Sequence, residues 1–553
     1  MGGAHRAVTG LRVALLLLIG APVGLGAGLT ALAALGWQPG LGGDLSLAGF
    51  AQALALPGIG RSVWLTLVTG LGATLIALAL SVPLSGWLIG RAGAARVLAP
   101  LLAVPHAALA LGLAFLLAPS GWIARLLAVP LGWGVPPAWP LPGDPWGGAL
   151  IVGLVLKEVP FLLLVTLAAA ASRDVAAEMA VGRSLGYAPG RVWARLIWPQ
   201  LYPALRLPLF ITLSFSLSVV DMALILGPSH PPTLAVQILR LLMAPDLALR
   251  VPASALALVL LGLIAGVVAL WIGAERGVAS LGRHMVRAGR RGRAWPGCAA
   301  AGAALGAGLP LLALAGLALW SVAGRWTFPQ LWPEGPSLAR WGRVDWSVLG
   351  TTLGLGVTVT ALALALAVAV LEAEDRARRP LRLGALIVLP LLLPQIGFLQ
   401  GLTSGFLVLG LPPGPWAVIW AELLFVFPYV LLALAGPWRA LDPAHLRAAA
   451  GLGAGPWRVL GRIKLPLLQR PLMVAAAIGF AVSAAQYLAV LLPGAGRVAV
   501  LATEAVTLSS GADRRLAAVY GLLLALLPLL GFAAALVVPD WQARDRRGAG
   551  DGS

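Results

Sequence analysis

Cysteine is almost missing from these 553 residues: Cys298 stands alone. A disulfide within the chain is excluded, and so is a zinc site built on paired thiolates. Charge of either sign is scarce, at 11% of residues, where soluble globular chains carry about 25%. Acidic residues are the scarcer kind, 20 against 39 basic ones. Lysine occurs only as Lys157 and Lys464, and neither follows a glycine. A G-x-x-x-x-G-K-[ST] phosphate loop is therefore absent, and the chain does not bind ATP in the usual way. The five histidines are scattered. They offer neither a metal-ligand cluster nor a nucleophile–base pair, so no catalytic residue, metal or cofactor is expected.

What the chain has is apolar length. Hydrophobic residues make up 60% of it, more than a soluble domain can hide. Twelve mostly apolar runs are long enough to span a bilayer: 13–36, 62–89, 97–118, 145–171, 207–227, 253–274, 297–322, 347–371, 383–410, 416–436, 471–493 and 517–538. None alternates polar with apolar, which excludes a barrel and leaves helices. The expectation is an all-α integral membrane protein of twelve transmembrane helices. The net charge of +19 does not signal nucleic acid, because the charges sit between the apolar runs. With the N-terminus in the cytoplasm, 28 basic residues fall in inner segments and ten in outer loops. Basic residues favour the cytoplasmic side, so both termini are expected inside. Arg6 and Arg12 before the first run resemble the start of a signal peptide. That run is long for one, and 297–322 occupies the matching place later, so a retained helix is expected.

The chain repeats itself. Residues 184–199 read SLGYAPGRVWARLIWP, and 451–466 read GLGAGPWRVLGRIKLP. They share seven of sixteen positions at an offset of 267. Pro160 and Pro428 precede the two segments at similar distances, Pro105 matches Pro394, and Gly227 matches Gly494. Each half holds six runs, an even number, so the halves are expected as parallel repeats. The reading divides the chain into a first half at 1–275 with a long cytoplasmic loop at 172–206, and a basic linker at 276–296. A second half follows at 297–538 with its loop at 437–470, then a polar tail at 539–553. The linker is read as a solvated basic segment touching anionic lipid heads.

Each repeated segment reads as two short helices with a break. Gly186 and Gly453 tolerate positive φ and end the first helix. Pro189 and Pro456 suit the first turn of the next, and Pro199 and Pro466 lead into the following span. Val192, Leu196, Val459 and Ile463 mark an apolar face opposite Arg191, Arg195, Arg458 and Arg462.

At these residues the chain resembles the permease subunits of bacterial ATP-binding-cassette (ABC) importers. Their loop motif runs Glu-Ala-Ala, three residues, Gly, nine residues, Ile, one residue, Leu-Pro. Here Ala448-Ala449, Gly453, Ile463 and Leu465-Pro466 match, and Gly186, Leu196 and Pro199 keep the spacing in the first half. The glutamate position holds Ala180 in the first half and Arg447 in the second, with Glu178 two residues early. The whole chain is similar to double-length permeases of the thiamine and iron(III) type. The resemblance implies the type I importer permease fold in a bacterial inner membrane. It implies two copies of a separate ATPase docked on the two loops, and an extracytoplasmic solute-binding protein that delivers a small, thiamine-like solute. Glu178, Gly186, Pro199, Arg447, Ala448, Ala449, Gly453, Ile463 and Pro466 are then the ATPase-coupling candidates.

Ionisable residues inside spans are costly and mark functional sites by default. Glu158, Asp221 and Glu422, with Gln486, are the candidates for lining a translocation path. The bland alternatives are a polar side chain satisfying a neighbouring backbone, or, for Glu422, an interfacial residue reaching toward water. A second functional class, a twelve-helix secondary transporter driven by an ion gradient, also has parallel halves, but does not explain the paired loops.

Overall fold

The computed structural model describes residues 10–89, 91, 94–287, 298–378, 384–511 and 513–548. Among them the only β pairing is two isolated bridges, Gln38 with Gly42 and Ala323 with Pro336. The N-terminal half comprises α1 (Gly10–Ala34), α2 (Ile59–Leu88), α3 (Ala94–Ala103), α4 (His106–Leu117), α5 (Gly148–Ala171) and α6 (Val175–Ser184). It continues with α7 (Trp198–Ser218), α8 (Asp221–Leu226), α9 (Leu234–Met243) and α10 (Arg250–Arg287). The C-terminal half holds α11 (Cys298–Ser321), α12 (Trp346–Ala377), α13 (Gly384–Leu392), α14 (Gln395–Val408) and α15 (Pro415–Arg439). Then come α16 (Pro443–Gly451), α17 (Gln469–Ala484), α18 (Leu488–Gly494), α19 (Leu501–Ser509) and α20 (Arg514–Gly548).

Small residues set the packing. The buried face of α2 carries Ser62, Thr66, Thr69, Ala73, Ala77 and Ser81, and that of α12 carries Thr352, Gly356, Thr360, Ala363 and Ala367. Spacings of three and four put each set on one stripe, and small side chains let helices approach closely where lipid supplies no hydrophobic drive. The hydroxyls of Thr66, Thr69, Ser81 and Thr352 donate to the preceding turn, as Thr66 does to the Ser62 carbonyl at 2.8 Å. Along these stripes α2 meets α5 and α7, and α12 meets α15 and α17. Two of the threonines also cap other helices. Thr66 Oγ1 accepts from the Leu234 amide at 2.8 Å and Thr352 Oγ1 from the Leu501 amide at 2.9 Å, so α9 and α19 start alike.

The first helix of each half lies against the other half: α1 packs on α14, and α11 on α4. Glycine makes room for both crossings. A Cβ on Gly401 would collide with the Gly26 carbonyl, and one on Gly112 with the Ala313 carbonyl.

Nine helices among the described residues are long and apolar enough to cross a membrane, or up to eleven if two bent pairs each count as one span. The expected twelve continuous spans are not reached, because apolar length does not reveal where a helix breaks. The run 97–118 is two helices parted before His106, since Pro105 cannot donate to the preceding turn. Its partner 383–410 bends by 102° between α13 and α14, next to Pro394. Run 207–227 breaks at Val219–Val220, and 471–493 at residues 485–487. The apolar part of α11 that is described in full is only Gly308–Ser321. Part of the expected linker is helical, since α10 continues to Arg287, and residues 288–296 lie outside the described residues. The expected polar tail likewise continues α20 to Gly548, and its last five residues lie outside the description.

Candidate functional site

The two repeated segments adopt matching backbones. Asp174 opens α6, its Oδ1 accepting from the Ala177 amide at 3.0 Å. The chain then turns at Gly186 with φ +81°, and after α16 it turns at Gly453 with φ +80°. No Cβ is tolerated there without strain. Short helices restart at Pro189 and Pro456 and widen into π turns at Trp193–Ile197 and Leu460–Lys464. The glycine turns, the proline restarts and the π turns are each displaced by 267 residues. A separate second helix was expected in each loop. In the first half it instead runs on without a break into α7, while in the second the chain bends by 77° before α17.

The anchors differ. Trp193 is buried against Gly86 near the end of α2, and its indole donates to the Val82 carbonyl at 2.7 Å. At the corresponding end of α12, buried Lys464 donates to Glu372 at 2.6 Å and Asp375 at 2.7 Å. The Trp438 indole donates to the same Asp375 carboxylate at 2.9 Å. Sequence reasoning missed this knot. Its only signal was one of two lysines in the chain lying beside the motif.

Both loops lie at the ends of α2 and α12. Helix α4 leads back from that face to Arg125, which bonds to the carbonyls of Thr327 and Gln330 in the connection from α11 to the start of α12. Chain order therefore puts both loops on one face and the Arg125 contact on the opposite one.

Gly186, Pro199, Arg447, Ala448, Gly453 and Pro466 are exposed, Ile463 is half-buried and Ala449 is buried. Leu185 and Leu452, again 267 apart, are 57% and 89% exposed, which is unusual for leucine flanking a rigid turn. Glu178 is not a free acidic contact: Arg173 grips it at 2.6 Å and also donates to Gln200.

The path candidates fall into two groups. Near the break at Pro105, Lys157 donates to the carbonyls of Leu102, at 2.8 Å, and Val104. Leu102 is in the last turn of α3 and Val104 just follows it, where carbonyls lack helical partners, and a cation suits a helix C-terminus. Glu158 turns the other way, accepting from Thr212 at 3.1 Å and facing His106 at 3.9 Å. The His106 ring packs tilted against Phe215, with the ring centroids 4.5 Å apart. Asp221 opens α8 at the second break and lies within electrostatic reach of both His106 and Lys157. From the second half, Tyr429 lies within electrostatic reach of Glu158 and Tyr487 within that of Asp221. Glu422 is elsewhere. It is 1% exposed and takes a hydrogen bond from Ser483, so it is not an interfacial residue reaching toward water. Gln486, buried, sits in the break between α17 and α18.

No protein-family model matches the chain. Single proteins do. It is 32% identical over 513 residues to the inner membrane ABC transporter permease protein YnjC of Escherichia coli K12, covering 91% of this chain and 93% of that one. It is 31% identical over 135 residues to the molybdenum transport system permease protein ModB of Azotobacter vinelandii, 22% of this chain and 60% of the relative. A further 92 residues are 29% identical to the spermidine/putrescine transport system permease protein PotC of Haemophilus influenzae, 17% of this chain and 36% of the relative. An all-α, multi-pass chain that is 32% identical to an inner membrane ABC transporter permease over 93% of that protein's length belongs to the ABC transporter permease family.

Proposed function

We propose that this chain is the fused permease of an ATP-driven importer, with two parallel six-helix halves, both termini in the cytoplasm, and one ATPase docked on each loop. The observation that carries the reading is the pair of equivalent protrusions on one face. Gly186 and Gly453 hold the same turn, and Leu185 and Leu452 project from it. Exposed apolar side chains on a rigid turn fit a groove on a soluble partner. The coupling candidates are Gly186, Pro199, Ala448, Ala449, Gly453, Ile463 and Pro466, with the exposed Arg447 in the place where the family motif has a glutamate. Glu178 positions α6 through Arg173.

Transport would move the broken helices. Breaks at Pro105 and Val219–Val220 in one half, and at Pro394 and 485–487 in the other, give each half two joints. Glu158, Asp221 and Gln486 stand at or beside them, and Glu422 stands apart in a closed pair with Ser483. ATP shifts the balance only if it binds one arrangement of the dimerised ATPases better than the other. The thiamine-like solute rests on the sequence resemblance alone. The relatives whose names state a cargo carry molybdenum or spermidine and putrescine.

Reconstitution with the ATPase and binding protein tests the reading. ATP hydrolysis should rise with the loaded binding protein, and Gly453→Trp should abolish uptake about tenfold or more while the chain still inserts and hydrolysis continues, because the new side chain blocks the docked turn. Uptake driven by a proton gradient in vesicles without any ATPase would instead favour the secondary transporter.

A further inference from the structure

On the face opposite the loops, the two halves enclose an open cavity of about 520 Å³. Arg125 comes from the first half; Trp326, Arg340, Asp513, Arg514 and Arg515 come from the second. Arg125 is 2% exposed, and every hydrogen bond it makes among the described residues goes to a backbone carbonyl, from Ser120, Trp326, Thr327 or Gln330. Its charge is thus held without a carboxylate. At the rim Arg340 pairs with Asp513 at 2.8 Å, and Arg514 reaches the Ser120 hydroxyl at 3.4 Å. Four arginines and one aspartate thus line the cavity. Aromatic rings line one side, with Trp326 tilted against Trp320 at 5.0 Å and Trp320 stacked on Phe115 at 5.2 Å.

The same place in the other half is different. A shift of 267 residues maps Asp513-Arg514-Arg515 onto Asp246-Leu247-Ala248. A space lined by Arg250, four residues beyond Asp246, and by Thr30, Gln38 and Gln400 is only about 30 Å³ and has Arg250 as its single cation. Two halves with matching backbones therefore present unlike outer surfaces.

We infer that the basic socket receives acidic side chains of the extracytoplasmic binding protein, and so fixes which lobe of that protein sits on which half. This rests on the importer reading above. Charge selects a carboxylate-bearing protein surface, since guanidinium groups pair carboxylates with directional bonds. A nearly symmetric permease face would otherwise accept a two-lobed partner in either orientation. An electrostatic mark on one side removes that choice, because a mismatched partner leaves the charges unpaired.

The test uses the permease–ATPase complex in lipid nanodiscs and the purified binding protein that stimulates its ATP hydrolysis. Arg514→Glu/Arg515→Glu should weaken the Kd about tenfold or more at low salt, with the gap narrowing as salt rises. Arg514→Gln/Arg515→Gln should fall between this variant and wild type. Leu247→Glu/Ala248→Glu on the other side should bind as wild type does. Unstimulated ATP hydrolysis should be the same in all, which shows that the variants fold. Equal binding by the Arg514→Glu/Arg515→Glu variant overturns the inference, as does equal loss from the Leu247→Glu/Ala248→Glu variant. Intact binding with lost uptake makes the socket a solute site and also overturns it. If no binding protein stimulates the wild-type complex, the importer reading itself fails.

Discussion

Lys464 shows how much can hang on one side chain. It is buried, and it holds Glu372 and Asp375 together at the end of α12. Removing one partner of a buried ion pair leaves the other charge without compensation. Lys464→Met is expected to cost about 2 kcal/mol, less than a fully buried pair would, because Asp375 keeps part of its hydration. A thermal-shift series in detergent checks this: Lys464→Met should melt lower, and adding Glu372→Gln should recover part of the loss. A double variant no better than the single one would show that the pair is not coupled. Glu504 offers a pH test outside the spanning helices. Burial, and then the charge of Asp345, raises its carboxyl above the ordinary 4.5. A carboxyl whose folded pKa is raised favours the folded state below the ordinary pKa, and that contribution is lost as pH rises toward the folded value. Glu504→Gln should therefore melt above wild type at pH 8 and lose this advantage near pH 4; a wild type that melts as high as the variant at pH 8 would refute it. Neither residue was picked out from sequence. Glu372 and Asp375 lie about ninety residues before Lys464 in the chain, and only folding brings them together. The glycines were legible, because few positions need positive φ and the same spacing occurred twice.

The helix breaks were half legible. Pro105 and Pro394 stood out as matching landmarks, but a proline inside an apolar run reads equally as a kink or a break, and the structure has breaks. What satisfies the broken ends was hidden. In the first half Lys157 holds the carbonyls of Leu102 and Val104. In the second, Ser214 reaches across from the first half and donates to the Leu392 carbonyl at 2.7 Å. The same local problem, unpaired carbonyls in an apolar setting, has a charged solution on one side and a neutral one on the other. Lys157→Met strands two buried acceptors and should cost about 2–3 kcal/mol, whereas Ser214→Ala strands one and should cost about 1 kcal/mol. Melting curves for both variants decide it, and equal losses would mean that Lys157 does not hold the break. The prediction separates the lysine's structural duty from any part in transport, because Glu158 faces the opposite way.

The two halves hold each other by exchanging their first helices. Helix α1 crosses α14 where Gly26 meets Gly401, and α11 crosses α4 where Gly112 meets Ala313. Each crossing brings backbone against backbone, the arrangement that small residues permit in lipid. Covalent continuity between the halves is then dispensable once they have folded. Cutting the chain in the linker and co-expressing 1–290 with 291–553 should yield a complex that survives purification in mild detergent. Gly112→Leu together with Gly401→Leu should disrupt both crossings, because the new side chains meet carbonyl backbone that cannot step aside. Overpacking of this kind costs about 1–3 kcal/mol per site, so recovery of the partner half should fall about tenfold or more. Gly436→Leu is the control, since a Cβ there meets nothing within 4 Å. Halves that fail to associate, or a double variant that co-purifies as well as the control, would show that the first-helix exchange does not hold the molecule together.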